Sequence, residues 1–393
     1  MGGHRGGNVT RGRRSGNPHN HVVSTVAGIR FKVTPNQSPA PTAERERRLA
    51  SPGFGRVFTD HMISIKWEAE RGWYDAELRP YGPLSLDPGT VFLHYAQGIF
   101  EGLKAYRQPD GGVAVFRPDA NAARFRRSAR RMALPELPEE TFIEAIDLLL
   151  QHDHAWVPSA PDHSLYLRPF MFASDVGLGV HLGGEVTFLL IASPSGSYFK
   201  SGVKPVTVWL EEKYTRAAPG GTGEAKAGGN YAGGLIAQAQ AAREGCADVV
   251  WLDAAEHKWV EEMGGMNLCF VFNKGGRPTL VTSPLTGTLL PGVTRDSLLK
   301  LAGDLGYGAE ERRVSVGEWR DGCADGSIAE AFACGTAAVI TPIGEVCSSH
   351  GGWSITGGAA GPISMKLRET LVSIQRGTAP DTHHWMRRID LPD

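Results

Sequence analysis

The chain carries no excess of charge of either sign: 41 Lys and Arg stand against 42 Asp and Glu, a formal net charge of -1. That balance excludes a global field that would recruit nucleic acid or an anionic membrane surface. No apolar run approaches the roughly 20 residues that cross a bilayer. Cysteine is scarce, with five residues: Cys246, Cys269, Cys323, Cys334 and Cys347. None forms a C-x-x-C pair or sits at zinc-ligand spacing with His, so no metal site is expected. Scattered through apolar runs, they read as buried thiols in a reducing compartment. Acidic residues are missing from positions 1–43, which are rich in Arg, Gly, Ser and Asn. Such a segment buries too little apolar surface to order itself. An organelle transit peptide has a similar composition, but these arginines do not line one face of an apolar helix.

What remains is the profile of a globular protein: 41% hydrophobic and 21% charged residues over 393 positions. The 50 glycines fall in short clusters that read as turns. Residues 62–67 alternate as a strand, and residues 90–94 and 112–116 read as apolar strands. Helices are predicted over 119–134, with Asp119 as N-cap, and over 139–152. Buried strands follow at 164–172 and 185–192, then a turn-rich stretch holding one strand at 205–210. Beyond it come a helix at 232–243 stopped by Gly245, strands through 248–283, and a helix at 294–306. A strand-turn-strand at 328–343 and a closing helix at 363–376 complete the chain. Strands and helices mix without regular alternation, which predicts an α+β or irregular α/β fold. The expected organisation is a disordered tail (1–50), a smaller N-terminal domain (51–198), a linker (199–214) and a larger C-terminal domain (215–393).

One lysine stands out. Lys226 sits in the run Gly220-Gly221-Thr222-Gly223-Glu224-Ala225-Lys226-Ala227-Gly228-Gly229-Asn230-Tyr231. A phosphate-binding P-loop would need Ser or Thr after the lysine, and Ala227 is there instead. A flexible loop with a solvated lysine is one reading. The other is a Schiff-base lysine, which needs a confined site and little bulk, so that a flat ring can approach the backbone. Tyr231 then lies within reach of a phenolic oxygen on that ring.

Such a ring needs an acid for its nitrogen and a cup for its phosphate. Glu262 opens an apolar strand, where a carboxylate is costly without a partner. Glu261 fits an exposed turn better. Gly292-Val293-Thr294 opens a helix and offers free N–H groups and a hydroxyl to a dianion; Thr294 also suits an N-cap. Cys334-Gly335-Thr336-Ala337 is a second such turn between apolar strands.

Together these motifs resemble the fold-type IV (class IV) pyridoxal-phosphate aminotransferases, above all the branched-chain amino acid aminotransferases. The resemblance runs from about Phe54 to His384-Trp385-Met386. Its strongest pieces are Phe100-Glu101-Gly102-Leu103-Lys104-Ala105-Tyr106, Leu165-Tyr166-Leu167-Arg168-Pro169, Lys226-Ala227-Gly228-Gly229-Asn230-Tyr231 and Leu290-Pro291-Gly292-Val293-Thr294-Arg295.

The resemblance implies a two-domain enzyme with pyridoxal 5'-phosphate between the domains, acting as a homodimer in the cytoplasm. It implies Lys226 as the cofactor-bearing, proton-moving lysine and Glu262 as the acid at the ring nitrogen. Tyr231 would meet the ring oxygen, and Arg124, Val293, Thr294 and Thr336 the phosphate. Arg126, Arg127, Arg130 and Arg131 are expected to face solvent. Thr336 and Ala337 would hold the substrate α-carboxylate. Phe100, Tyr166 and Tyr198 would wall the side-chain pocket, with Tyr95, Leu178 and Val180 reaching in from a second subunit. Arg168 would pair the γ-carboxylate of L-glutamate or 2-oxoglutarate, or else sit in a structural ion pair. The implied substrates are L-leucine, L-isoleucine, L-valine and their branched-chain 2-oxo acids. No nucleic acid or membrane partner is expected.

Two departures are visible. The C-x-x-C redox pair of mammalian members is replaced by Ala338 and Thr341, and Gly265 stands where some members have Thr. A D-amino acid aminotransferase or an aminodeoxychorismate lyase shares the fold, but the Tyr166-x-Arg168-Pro169 strand and the aromatic walls favour the branched-chain reading. The Arg124–Arg131 cluster and the basic tail would also suit a nucleic-acid-binding protein; the near-zero net charge argues against it.

Overall fold

The computed structural model describes residues 21–26, 29–196 and 202–392. Among the described residues the chain forms two sheets. In the first, the strands run in the order His21–Val26, Ile29–Val33, Gly72–Pro80, His61–Glu68, Glu185–Ser195, Ser164–Ala173, Leu103–Arg107, Val113–Phe116 and Met386–Arg388. Gly98–Phe100 pairs with Ser164–Ala173 off this path. Helices Pro118–Arg131 and Glu139–Asp153 cover the sheet through Phe125, Phe142 and Phe188, with the Phe125 ring 5.4 Å from Phe142 and 5.7 Å from Phe188. Full burial of such aromatic side chains is worth roughly 1.5–3 kcal/mol each.

The second sheet runs Val260–Met263, Asp248–Leu252, Val206–Glu211, Val339–Ser348, Ile328–Gly335, Met266–Lys274, Arg277–Thr282 and Gly308–Glu311. Helix Val316–Asp325 packs Trp319 against Phe270 on one face. Helices Val293–Asp304 and Pro362–Gln375 bury Leu298, Leu301, Leu367 and Leu371 on the other. Tyr106 and Phe116 from the first sheet join that second core. The two sheets therefore share apolar packing, and the site forms along their seam.

Several expectations change. Part of the predicted tail is ordered: Ile29–Val33 pairs with Gly72–Pro80, and Thr42–Ala50 is a helix. Ile29, Phe31 and Val33 alternate inward and are buried, a period-two signal diluted by the Gly- and Arg-rich residues around it. The run at 90–94 is not a strand. Val91–Tyr95 is a single helical turn, closed by Ala96 in the left-handed conformation, and so short an apolar run does not distinguish the two structures. Arg117, not Asp119, caps helix Pro118–Arg131, with Pro118 at the first helical position. Gly292, not Thr294, caps its helix. The proposed linker contains Val206–Glu211, which is hydrogen-bonded on both sides within the second sheet. At the other end, Met386–Arg388 returns to pair with Val113–Phe116, so the C-terminal stretch does not stay with the second sheet.

Candidate active site

The Lys226 loop is held from three sides. The Lys226 N–H donates to Ser128 Oγ (3.0 Å), and its carbonyl accepts from the Phe100 N–H (3.0 Å). Asn230 is buried and donates to the carbonyls of Thr222 and Ala225, both at 2.8 Å. Arg131 donates to the carbonyls of Gly220 and Gly221 (2.9 Å each). Expected to face solvent, Arg131 instead clamps the start of this loop. Arg126 is half-buried against Glu136 and Glu139, while Arg127 and Arg130 are exposed. The solvated-lysine reading fails with this geometry. Lys226 Nζ lies 3.0 Å from the Tyr231 hydroxyl and 4.9 Å from the centre of the Phe100 ring.

A cavity of about 230 Å³ opens beside Lys226. Arg124, Tyr166, Glu262, Val293, Thr294, Thr336 and Ala337 line it together with the lysine. Glu262 is 3% exposed. Its carboxylate lies 2.8 Å from Arg216 and accepts from the Leu290 N–H (2.9 Å) and the Asn267 amide (3.1 Å). Burial pushes its carboxyl above the ordinary carboxylate value, and Arg216 pulls it back. Glu261 is also buried, contrary to expectation, and accepts from the Thr288 hydroxyl at 2.6 Å. Neighbours on a strand point to opposite faces, and both faces here are covered.

Arg124 makes a two-pronged contact with Glu101, at 2.7 and 2.8 Å, and both side chains are buried. Burial raises the Glu101 carboxyl, but Arg124 outweighs it and holds the group below the ordinary value. Asn121 adds a third donor at 2.7 Å. The Gly292-capped helix points its first N–H groups, including those of Val293 and Thr294, at the cavity without intrahelical partners. Thr336 donates to the Gly102 carbonyl (3.1 Å), and Lys104 Nζ to the Ala337 carbonyl (2.7 Å), so that turn is tied to the first sheet. Gly102 and Gly292 are required by close approach: a Cβ at the first would meet the Tyr166 hydroxyl, and at the second the Asn267 side chain.

Beside this cavity lies an apolar groove lined by Phe92, Ile99, Phe100, Arg168, Phe170 and Phe172. Arg168 donates to the Glu101 carbonyl (2.9 Å) and the Tyr166 hydroxyl (3.3 Å), and no carboxylate pairs with it among the described residues. Its alternative reading as a structural ion pair is therefore dropped. Tyr95, Leu178 and Val180 line neither space. Tyr95 donates to the Leu178 carbonyl, and Leu178 and Val180 are 74% and 82% exposed. Tyr198 lies outside the described residues.

Sequence reading missed Glu101, Arg216, Asn267 and Lys104 as members of the site. Glu101 and Lys104 lie in a quoted motif but carried no role. Arg216 gave no local signal, because its partner Glu262 lies on a strand much further along the chain, and Asn267 pairs with Glu262 across a tight hairpin while also reaching the Leu290 carbonyl. No group of three or more His, Cys, Asp or Glu among the described residues could hold a metal ion, and no described helix is long and apolar enough to cross a membrane. The donors fit a flat, phosphate-bearing pyridine: an amine at one end, a buried carboxylate at another, and a helix N-terminus with an arginine at the third.

The family model described as amino-transferase class IV matches residues 98–346. The branched-chain-amino-acid aminotransferase of Mycolicibacterium smegmatis is 58% identical over 363 residues, 92% of this chain and 99% of that protein. Among solved structures, the Escherichia coli branched-chain amino acid aminotransferase superposes with a TM-score of 0.70 at 27% identity, over 84% of this chain and 99% of that one. The branched-chain aminotransferase of the thermophilic archaeon Thermoproteus uzoniensis, solved with norvaline, gives 0.68 at 26% identity, over 84% of this chain and 100% of that one. With its cavity built around Lys226 and Glu262, this chain belongs to the class IV aminotransferases, within the branched-chain-amino-acid aminotransferase family.

Proposed function

We propose that the enzyme transfers the amino group of L-leucine, L-isoleucine or L-valine to 2-oxoglutarate, yielding L-glutamate and the branched-chain 2-oxo acid, with pyridoxal 5'-phosphate as cofactor. The observation that carries this reading is the convergence of Lys226, Glu262, Arg124 and the Val293–Asp304 helix start on one cavity. When bound, the cofactor supplies an electron sink for the substrate Cα–H bond. The residues supply the rest. Lys226 Nζ anchors the cofactor and moves the Cα proton, and the Tyr231 hydroxyl 3.0 Å away orients that amine. Glu262 holds a proton at the ring nitrogen, and Arg216, Asn267 and the Leu290 N–H keep the carboxylate available. Val293, Thr294, Thr336 and Arg124 hold the phosphate.

Thr336 and Ala337 hold the α-carboxylate. Phe100 and Tyr166 exclude water around the substrate side chain, and the apolar groove beside Phe100 suits branched aliphatic groups. Arg168 donates from Nε to the Glu101 carbonyl and from Nη2 to the Tyr166 hydroxyl, with no carboxylate of its own among the described residues. Its remaining N–H groups suit the γ-carboxylate of the second substrate. Tyr95, Leu178 and Val180 form an exposed apolar rim, and we assign them to the partner's site in a homodimer. One site serves both amino donors in turn, so ping-pong kinetics follow. We place the enzyme in the cytoplasm, as its reduced-thiol pattern suggests.

The test is visible absorbance of the purified protein with pyridoxal 5'-phosphate. The expected result is a band absent from the Lys226→Ala variant, lost on adding L-leucine and restored by 2-oxoglutarate. A band bleached by D-alanine alone would keep the cofactor and overturn the substrate assignment.

A further inference from the structure

Behind the Gly335-Thr336-Ala337 turn lies a second, smaller cavity, separate from the one beside Lys226. Lys104, Tyr106, His163, Arg368, Arg376 and the back of Ala337 line it. Three of these side chains, Lys104, Arg368 and Arg376, are cationic or can become so. One carboxylate, Asp162, reaches the cavity, 3.5 Å from Arg368. Arg376 spends its terminal N–H on backbone, donating to the Ala160 carbonyl at 2.8 Å. Arg368 Nε and His163 Nδ1 are buried and have no hydrogen-bond partner among the described residues. A buried donor such as Arg368 Nε is rarely left so. Burial, then Arg368 and Arg376, pushes the Lys104 amine down to about 7, with Asp162 opposing. Tyr106, the other titratable group here, is pushed up by burial and stays neutral.

We propose that this cavity binds a small monovalent inorganic anion of about the size of chloride, and that the anion tightens the substrate-carboxylate turn through Lys104. The coupling rests on the assignment of Thr336 and Ala337 to the α-carboxylate; the anion site does not. Cation excess sets the sign of the ligand, and the available volume of about 30 Å³ sets its size. That is space for about one or two water molecules, too little for an amino acid or a nucleotide. An anion between Lys104, Arg368 and Arg376 offsets their mutual repulsion and favours the charged amine. A charged amine donates a stronger hydrogen bond to the Ala337 carbonyl. The turn on the far side of that carbonyl is then held more firmly.

The experiment uses the holoenzyme in potassium chloride and in potassium gluconate at equal ionic strength, gluconate being too large for the cavity. The KM for L-leucine is expected to be about fivefold lower in chloride, with kcat unchanged, the low end of coupling between two sites. In the Arg368→Gln variant the activity in gluconate is expected to persist and the chloride effect to vanish. Crystals of the holoenzyme soaked in bromide are expected to show an anomalous peak between Lys104 and Arg368. Absence of that peak overturns the anion site, whatever the substrate proves to be. A peak without a KM response, or a response that survives Arg368→Gln, overturns the coupling through Lys104.

Discussion

Arg216 places a guanidinium nitrogen 2.8 Å from Glu262 Oε2, and both side chains are buried. Arg216 lies upstream of Lys226 in the chain, and the fold carries it to this carboxylate as its ion-pair partner. Burial raises the Glu262 carboxyl, and Arg216 is the largest opposing influence. The pair therefore sets how readily the Glu262 carboxyl gives up its proton, on which its proposed role at a ring nitrogen depends.

Replacing Arg216 by Met should leave Glu262 buried and unpaired, destabilising the cofactor-free protein by about 3–5 kcal/mol. The pH dependence has a definite sign. A carboxyl whose folded pKa is raised contributes stability below its ordinary value near 4.5, and that contribution is lost as pH rises through the folded pKa. The variant pushes that folded pKa higher still, so its stability should keep falling with pH where the wild type has levelled. Urea midpoints of both proteins across pH measure this. Parallel profiles would show that Arg216 does not govern Glu262.

Glu101→Gln tests the other buried pair. It removes the charge that accepts two bonds from Arg124 while keeping the shape. A loss of about 3–5 kcal/mol of stability is expected from the uncompensated guanidinium. Because Arg124 also loses its orientation, the variant should release the phosphate-bearing cofactor faster on dialysis. Unchanged retention would separate Glu101 from the phosphate site.

Gly102→Ala would drive a methyl group into the Tyr166 hydroxyl. Overpacking of this kind costs about 1–3 kcal/mol. Tyr166 must move, and with it the Arg168 nitrogen that donates to its oxygen. If Arg168 holds the γ-carboxylate as proposed, the KM for 2-oxoglutarate should rise more than the KM for L-leucine. Steady-state kinetics with each substrate varied decides it; equal rises would assign Gly102 a purely structural part.

Much of the site was legible because its signals are local. Lys226 announces itself by the absence of bulk around it, Glu262 by its place at the mouth of an apolar strand, and Val293 and Thr294 by following a glycine at a helix start. Each depends on a few neighbouring residues, and local propensity decides such features. The ordered segment Ile29–Val33 was legible in principle too, but its alternation is shorter than the Gly- and Arg-rich window that masks it.

The sequence by itself determined most of the elements, the lysine loop and the glycine turns at 292–294 and 335–337, since backbone preference and side-chain spacing act over a few residues. Only the tertiary structure decided which charges meet. Arg216 and Glu262 are far apart in the chain, as are Glu101 and Arg124, or Lys104 and the Ala337 carbonyl. The first two pairs form within the packing of one sheet each, while Lys104 meets the Ala337 carbonyl because the two sheets share a core through Tyr106 and Phe116. A buried charge is tolerated only where packing delivers its partner, and that delivery is a property of the whole fold.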